Sequence, residues 1–258
     1  MPRPAVSLIL SVVLTSFVSA QNQPISNSQA VAYAAQSIAA VTGGATISDV
    51  TLTGSVIWNG SDTGTAVLRA LGSGESRMDL ALSSGTRTEI RDAQTGSTLG
   101  KWIDPKNASG NFAWHNCQMD AAWFFPALGS LAAGQGVVLS YVGQESRNGA
   151  MVQHIQSYVY QSGQSSMAGL GPQQLSVMDF YLDATTLLPV AITFNAHPDD
   201  DATANLLVEV DFSNYQTISG VAIPMHIQRY QQGNLMVDLV LSAASFNTGL
   251  PLSTFTIN

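Results

Sequence analysis

The chain has 258 residues, of which only 10% are charged, and its acidic side chains outnumber the basic ones by 17 to 9. A formal net charge of −8, with lysine only at positions 101 and 106, argues against a phosphate-binding groove for nucleic acid and against a general affinity for anionic membranes. Cys117 is the single cysteine, which excludes a disulfide framework and a cysteine-based metal site.

The first twenty residues, MPRPAVSLILSVVLTSFVSA, have the three parts of a secretory signal peptide. Arg3 provides the positive end, residues 5–18 form the apolar stretch, and a small Ser-Ala pair precedes the cleavage point. No later run approaches the roughly 18 apolar residues that a membrane span requires. We therefore expect residues 1–20 to be removed and residues 21–258 to form one exported domain.

The first regular element of the mature chain is predicted to be an amphipathic helix over residues 28–42. Ser28 stands at its start, and Gly43 with Gly44 supplies the stop signal. Apolar residues recur at helical spacing between these limits. The residues on this predicted apolar face are Val31, Ala34, Ala35, Ile38 and Val41.

From residue 50 onward the apolar period is two, which is typical of strands with one buried face. In NLLVEVDF the apolar side chains face one way, while Glu209 and Asp211 face the other. Clusters of Gly, Asn, Asp and Ser separate such segments at hairpin distances, as at Gln232-Gly233. We count roughly ten or more antiparallel strands against two helices. The alternating apolar positions include Leu52, Val56 and Trp58; Met78, Leu80 and Leu82; and Leu206, Val208, Val210 and Phe212.

These elements predict a mainly β, α+β fold. A sheet this long, with one wet face and one buried face, has to curl or split, and a curl has to be filled. The apolar segments outside the strands are the helix at 28–42 and the stretch at 120–134. We therefore predict a single strongly bent antiparallel sheet forming an incomplete barrel, with the N-terminal helix and one or two short helices filling or capping its concave side.

The stretch at 120–134, DAAWFFPALGSLAAG, is the most apolar of these fillers. Each ring of its aromatic trio, Trp123, Phe124 and Phe125, buries about 150 to 250 Å² when covered. At about 25 cal/mol per Å² the trio is worth roughly 11 to 19 kcal/mol as an upper bound, comparable to a domain's net stability. The segment must therefore lie against the protein's own sheet or line a place where an apolar ligand binds.

The spacing of the polar clusters in the sequence does not predict a metal site. His197 stands beside Asp199, Asp200 and Asp201, whose carboxylates suit calcium, but three consecutive carboxylates cannot all point at one ion from regular structure. We interpret this cluster as a solvated hairpin turn. The four histidines match no paired metal-binding spacing and are predicted to be half-exposed strand residues. They are His115, His154, His197 and His226.

Catalytic motifs are also missing, so no catalytic residue, metal or cofactor is predicted. No GxSxG elbow occurs, and Cys117 has only His115 beside it on the same side of an extended segment. Six carboxylates could in principle supply a glycosidase pair, but no spacing selects two of them. They are Glu75, Asp79, Glu89, Glu145, Glu209 and Asp211.

Several segments together resemble the LolA and LolB-like lipoprotein carriers, including the outer-membrane lipoprotein-sorting proteins. The helix is followed by the strand TGSVIW and the pair LRALGSGESRMDLAL, and GKWIDPK resembles the family's W-x-x-P strand end. DFYLDATTLLPVAITF, FSNYQTISGVAIPMHIQRY and FNTGLPLSTFTI resemble its later hairpins and closing strand. The resemblance covers most of the mature chain.

This resemblance implies an incomplete barrel whose hollow binds acyl chains beneath a movable helical lid. WFFPALGSLAA falls where the family has its cavity-covering helix. The family's lid-locking arginine corresponds to Arg69 or, less well, to Arg77. The expected lining or lid residues are Trp123, Phe124, Phe125, Leu128 and Leu131, with Trp58 and Trp102 in the sheet wall.

The expected function is that of an exported, non-enzymatic binding or carrier protein for an apolar small molecule, a lipid or a lipoprotein acyl chain. We expect a monomer in the cell envelope, in a periplasm or outside the cell. One alternative is a structural or sensory envelope protein whose hollow is filled by its own side chains and whose partner is another protein. A second alternative is a secreted hydrolase of unrecognised type.

Overall fold

The computed structural model describes residues 24–92, 100–112, 116, 119–120, 136–160, 171–198, 200–201 and 203–257. The predicted signal peptide and the aromatic trio lie outside these ranges, as do His115 and Cys117. No helix within the ranges is long and apolar enough to cross a membrane.

The described residues form one antiparallel sheet of thirteen strands. Across the sheet the order is β6-β5-β4-β3-β2-β1-β13-β12-β11-β10-β9-β8-β7, so the sheet has two separate edges and is not closed. This confirms the predicted incomplete barrel. The strands are β1 (Asp49–Trp58), β2 (Asp62–Leu71), β3 (Glu75–Leu82), β4 (Gly85–Asp92), β5 (Gly100–Ile103), β6 (Ser109–Asn111), β7 (Val137–Arg147), β8 (Ala150–Val159), β9 (Met178–Asp183), β10 (Pro189–Ala196), β11 (Leu206–Ile218), β12 (Val221–Gln231) and β13 (Asn234–Phe246).

The order of the strands shows two meanders that are joined at β1 and β13. The first runs outward from β1 to β6 at one edge, and the second runs from β7 at the other edge back to β13. The connection between β6 and β7 therefore links the two edges of the sheet. Its described residues Asn116, Met119 and Asp120 have helical backbone and lie on the concave side, where Met119 belongs to the core.

One face of the sheet carries the hydrophobic core, as the period of two predicted. On β11, Val208 and Val210 are fully buried, while Glu209 and Asp211 lie on the opposite, convex face. Leu52, Val56 and the predicted apolar positions of β3 are buried as well. At about 25 cal/mol per Å², burial of this face is the main favourable contribution to folding.

Helix α1 (Ser28–Thr42) covers part of the concave side, as expected. Its N-cap is Asn27 rather than Ser28, because the Asn27 side chain accepts hydrogen bonds from the second and third backbone N–H groups that follow it. The helix packs against β7, β8 and β12 through a face that includes Ala30 and Ala34. The predicted apolar face is wrong at Val31 and Ala35, which are exposed. Asn27 also donates its backbone N–H to the carbonyl of Leu139 on edge strand β7, at 2.8 Å.

Two short helices complete the described structure. α2 (Pro172–Leu175) lies beside β8. A single 3-10 turn (Leu252–Phe255) packs against β3, where Arg77 donates hydrogen bonds to the carbonyls of Thr254 and Thr256. Arg77 is on the convex face, so this turn covers the outside of the sheet and not its hollow.

The convex face carries a polar cluster near β7. Arg147 stacks over Tyr181, with 4.1 Å from its guanidinium carbon to the ring centroid, and forms an ion pair with Glu209. Burial and, next, the charge of Glu209 raise the pKa of Asp211 to about 6, against the lowering effect of Arg147. Asp211 therefore holds a proton more tightly in the folded chain than in the unfolded one.

We expect Asp211→Asn to stabilise the protein at neutral pH. The folded pKa lies above the ordinary value of 3.8, so the contribution of Asp211 to the free energy of unfolding falls as the pH rises from about 4 to about 6. Urea unfolding at pH 7 should show a gain of about 1 to 2 kcal/mol after allowance for solvent screening, and no gain below about pH 3.5. The charge-matched control is Asp200→Asn in an exposed loop; an equal gain there would contradict the prediction.

Gly43 fixes where α1 ends on the sheet. It has a left-handed backbone (φ 61°), and a Cβ at this position would stand 2.4 Å from the carbonyl oxygen of Gly220 in the β11–β12 turn. Gly44 also has a left-handed backbone (φ 82°), but a Cβ there would meet nothing within 4 Å. Substitution of Gly43 would therefore cause both backbone strain and steric overlap, whereas substitution of Gly44 would cause backbone strain alone.

We expect Gly43→Ala to lower the free energy of unfolding by about 2 to 4 kcal/mol, because left-handed strain and overlap with backbone add. Gly44→Ala should cost only about 1 kcal/mol, from strain alone. Chemical denaturation of both variants tests this, and equal losses would show that the contact with Gly220 does not hold α1 in place.

Candidate functional site

The concave side contains a cavity of about 460 Å³ that α1 leaves uncovered. It is bounded by β1, β3, β4, β12 and β13, by the end of β10, by the start of β11 and by the connection that follows β6. The residues that line it are Trp58, Asn59, Met78, Arg87, Glu89, Arg91, Phe112, Asn116, Asp120, Ala196, His197, Pro198, Leu206, Arg229, Gln231, Met236 and Val237.

Strand β4 brings charge into this cavity. In the ladder between β3 and β4, Leu80 is paired with Arg87 and Met78 with Glu89, so alternate residues of β4 share the concave face with core residues of β3. Arg91, two residues further on, lies on the same face and is buried. The concave side of β4 is thus a row of three charged side chains.

Glu89 neutralises part of this row. Its side chain is almost fully buried and accepts hydrogen bonds from Arg87 Nε and Arg91 Nη2, both at 2.6 Å. Burial opposes ionisation, but the charges of Arg91 and Arg87 outweigh it and hold the pKa of Glu89 below its ordinary value. Glu89 is therefore ionised at neutral pH.

Asp120 connects the two halves of the sheet across the cavity. One carboxylate oxygen lies 2.7 Å from Arg91 Nε on β4, and the other lies 3.1 Å from Arg229 Nη2 on β12. Five strand spacings of about 4.8 Å, roughly 24 Å, would separate β4 from β12 in a flat sheet. Both arginines reach one carboxylate because the sheet is strongly curled.

Asn116 fixes the same connection to the end of β10. Its side-chain Nδ2 donates to the carbonyl of His197 at 2.8 Å, and its Oδ1 accepts from the His197 backbone N–H at 2.9 Å. His197 is 2% exposed, and its ring Nδ1 lies 3.1 Å from the carbonyl of Ala204. The prediction of a half-exposed strand histidine is wrong here, because His197 follows β10 and is covered where Asn116 crosses the hollow.

The other described histidines and aspartates fit their predictions better. His154 and His226 are partly buried strand residues, with Nε2 lying 2.8 Å from Asp179 and 2.7 Å from Asp238. Asp200 and Asp201 are exposed, and Asp199 lies outside the described residues. Among the described residues no group of three or more His, Cys, Asp or Glu side chains could hold a metal ion.

Aromatic rings enclose the arginine end of the cavity. The Arg87 guanidinium carbon lies 4.5 Å from the ring centroid of Trp58 and 5.7 Å from that of Trp102, and Arg91 lies 4.2 Å from that of Phe112. Gly110 permits this packing, since a Cβ there would stand 2.7 Å from the Trp102 ring. These contacts leave apolar ring surface beside fixed positive charge.

The arrangement is suited to binding. Among the described lining residues, three guanidiniums and two carboxylates leave one net positive charge, in a chain whose net charge is −8. None of the residues named above as its lining carries a hydroxyl or thiol nucleophile. The cavity can hold an apolar group between rings and core side chains, with directed N–H donors at one side.

Comparison with protein-family models and with curated protein sequences finds no match. Solved structures do match. A domain assigned as an outer membrane lipoprotein-sorting protein, from Vibrio parahaemolyticus, shares 14% identity with a TM-score of 0.54, over 88% of this chain and 96% of that chain. A LolA superfamily protein from Nitrosomonas europaea shares 10% identity with a TM-score of 0.50, over 88% and 97%. The chain has a LolA-like fold.

A third solved structure also matches this chain. A DUF1329 family protein from Desulfovibrio piger shares 9% identity with a TM-score of 0.51, over 88% of this chain and 97% of that chain. At such identities the LolA-like fold is shared, while site residues have to be judged from this chain alone.

The structure brings together two of the residues expected from the sequence. Trp58 lines the cavity of the LolA-like sheet, and Trp102 lies beside Arg87 at its edge. Arg69 is on the convex face, where its Nη1 lies 2.8 Å from Asp79. It is not in the position expected of a lid contact, because alternation places it opposite to its buried neighbour Leu68. The expected residues outside the described ranges are Trp123, Phe124, Phe125, Leu128 and Leu131.

Sequence reasoning missed the charged row and its partners Asp120 and Arg229. The signal was present in TRTEIRD, where Arg87, Glu89 and Arg91 recur at strand spacing. The apolar residue Ile90 of β4 is buried on the convex face. A prediction that apolar residues of a strand face the hollow would therefore place the charged residues of β4 on the wrong side of the sheet.

We expect Glu89→Gln to lower the free energy of unfolding at pH 7 by about 3 to 5 kcal/mol, because it removes the counter-charge of the buried Arg91 and the partly buried Arg87. Asp79→Asn is the matched control. Asp79 also joins two arginines, Arg69 and Arg77, but it is more exposed, so its loss should cost about 1 kcal/mol.

The pH dependence provides a second measurement on these variants. The lowered pKa of Glu89 stabilises the folded chain only where the unfolded carboxylate would be ionised. The advantage of the wild type over Glu89→Gln should therefore be complete at pH 7 and decrease as the pH falls below about 4.5. Equal, pH-independent losses for both variants would contradict the structural account of the charged row.

Proposed function

We propose that this protein is an exported, non-enzymatic carrier that binds an apolar ligand, a lipid or a lipoprotein acyl chain, in the hollow of its LolA-like sheet. The observation that carries the proposal is the cavity of about 460 Å³, with Trp58, Phe112, Leu206 and Met236 among its lining residues. Small-molecule sites are typically concave, mostly apolar and roughly 300 to 1,000 Å³ in volume. The lipoprotein-sorting assignment of the Vibrio structure is consistent with this ligand class.

Burial of an alkyl chain would provide the affinity. About 0.8 kcal/mol per methylene amounts to roughly 8 kcal/mol for ten methylenes, before the cost of association is subtracted. The difference between the free energy of burial and the cost of association supports reversible binding. A carrier requires reversible binding because it has to release its ligand.

Part of the proposed binding surface rests on the sequence alone. The stretch at 120–134 begins with Asp120, which lines the described cavity, and its apolar residues follow directly in the sequence. Its large side chains are proposed to contact the ligand together with those of the sheet wall. The proposed contact residues are Trp123, Phe124, Phe125, Leu128 and Leu131, with Trp58 and Trp102.

The cellular setting follows from the predicted signal peptide. We propose removal of residues 1–20 and action of residues 21–258 as one monomeric domain in the cell envelope, most simply in a periplasm. Export would keep such a carrier between membranes, where lipids and lipoproteins require protection from water.

One observation favours a second candidate function. Met119 is 1% exposed within the core, and Asp120 already pairs with two arginines, so the chain fills part of its own hollow. A protein whose hollow is filled in this way would serve as a structural or sensory envelope protein and bind another protein instead of a lipid.

Native mass spectrometry of residues 21–258, purified without detergent, distinguishes the two candidates. We expect bound lipid, or uptake of a fluorescent fatty acid by the lipid-free protein with micromolar affinity. Repeated recovery of ligand-free protein that takes up no fatty acid would support the protein-binding candidate.

A pair of adjacent substitutions tests whether the ligand lies on the concave side. Trp58→Ala should weaken fatty-acid binding about tenfold or more, because it removes a ring that lines the cavity. Ile57→Ala is the control, since Ile57 is 39% exposed and lies on the opposite face of β1. Titration of both variants should show loss only for Trp58→Ala, and equal effects would place the ligand elsewhere.

A further inference from the structure

We propose that the ligand is an anionic amphiphile, and that its carboxylate or phosphate group binds Arg91 and Arg229 in place of the carboxylate of Asp120. This inference rests on the proposed function and specifies its ligand. Asp120 would then act as an internal substitute for the ligand's headgroup when the hollow is empty.

Charge is distributed unevenly between this cavity and the rest of the chain. The chain has seven arginines, because nine basic residues include two lysines, and three of the seven line this one cavity. Glu89 pairs with Arg87 and Arg91, while Asp120 pairs with Arg91 and Arg229. The part of the lining that the structure describes therefore contains one more guanidinium than carboxylate, in a chain whose net charge is −8.

The carboxylates of Glu89 and Asp120 are held in different ways. Glu89 belongs to the middle of β4, and its backbone is fixed by the ladders to β3 and β5. Asp120 comes from the connection after β6 and belongs to no strand. Rotation of the Asp120 side chain away from the arginines breaks no strand pairing and leaves Met119 in the core and Asn116 bonded to His197. Displacement of the Glu89 backbone would break strand pairing.

An anionic headgroup has the chemistry to exchange with the carboxylate of Asp120. A guanidinium binds carboxylate or phosphate through directed, charge-assisted hydrogen bonds, and a buried guanidinium without a counter-charge is strongly unfavourable. An anionic headgroup can replace Asp120 and leave Arg91 and Arg229 neutralised. A neutral headgroup cannot, so the exchange selects for anions.

Apolar surface lies next to both arginines. Phe112 lies against Arg91, and Arg229 is paired in the sheet with Val210 and Val237 of the core. A headgroup at the two arginines would therefore have rings and core side chains beside its first methylenes. Charge and apolar surface are adjacent, as an amphiphile requires.

Calorimetric titration of lipid-free residues 21–258 tests the inference with dodecanoate, dodecyl phosphate and dodecanol below their micelle concentrations. We expect the two anions to bind at least about tenfold more tightly than the alcohol. Acetate and inorganic phosphate, which carry the charge without the chain, should bind far more weakly than the amphiphiles. Binding of these small anions as tight as that of dodecanoate would indicate a free-anion site and overturn the amphiphile proposal.

Variants assign the preference to named residues. Arg229→Gln should remove the advantage of dodecanoate over dodecanol, and Arg229→Lys should retain part of it through its charge. Asp120→Asn should increase dodecanoate affinity severalfold while dodecanol affinity stays nearly unchanged, because the competing carboxylate is gone. Arg69→Gln, on the convex face, is the control and should alter neither affinity. A thermal melt of each variant verifies that it is folded.

The outcomes separate this inference from the proposed function. Equal binding of acid and alcohol by the wild type, or an acid preference that survives Arg229→Gln, would overturn the anionic headgroup and leave the carrier function standing. A decrease in dodecanoate affinity in Asp120→Asn would overturn the exchange with Asp120. Failure of the wild type to bind any of the three amphiphiles would overturn the carrier function itself.

Discussion

The pairing of β13 with β1 is the constraint on which the remaining structure depends. It joins two antiparallel meanders into one sheet and leaves β6 and β7 at opposite edges. A chain that must pass from one edge to the other has to cross the sheet, and Asn116, Met119 and Asp120 show that it does so on the concave side. The hollow, its covering residues and the charges within it all follow from this connectivity.

The charged row of β4 determines how the crossing segment is held. Arg91 and Arg229 come from distant strands and meet at one carboxylate, so Asp120 joins the curled halves of the sheet. Buried ion pairs of this kind contribute modest net stability, because desolvation offsets much of the attraction, but they are costly to break on one side only. Their effect is therefore to select one arrangement of the connection, and an incoming anion is the kind of group that can replace Asp120 at low cost.

Local patterns were sufficient for the elements of the fold. The spacing of apolar residues with the Gly43 stop predicted α1, and the period of two predicted strands such as β3 and β11 with their buried faces. The length of the sheet then required a curl. These predictions succeed because helix and strand periods are properties of neighbouring residues, and burial of one face follows from them.

The candidate site could not be obtained in this way, since its members come from β4, β12 and the connection after β6 and meet only when the sheet curls. Alternation in TRTEIRD shows that Arg87, Glu89 and Arg91 share a face, but the two faces of β4 can be told apart only when its pairing with β3 is known. The same limit explains Arg69, which the resemblance assigned to a lid contact and the register places outside. Composition and periodicity thus predicted an exported, curled β protein with apolar filling. Strand order and register established which charges face the hollow, because a one-residue difference in strand register exchanges the two faces of a sheet.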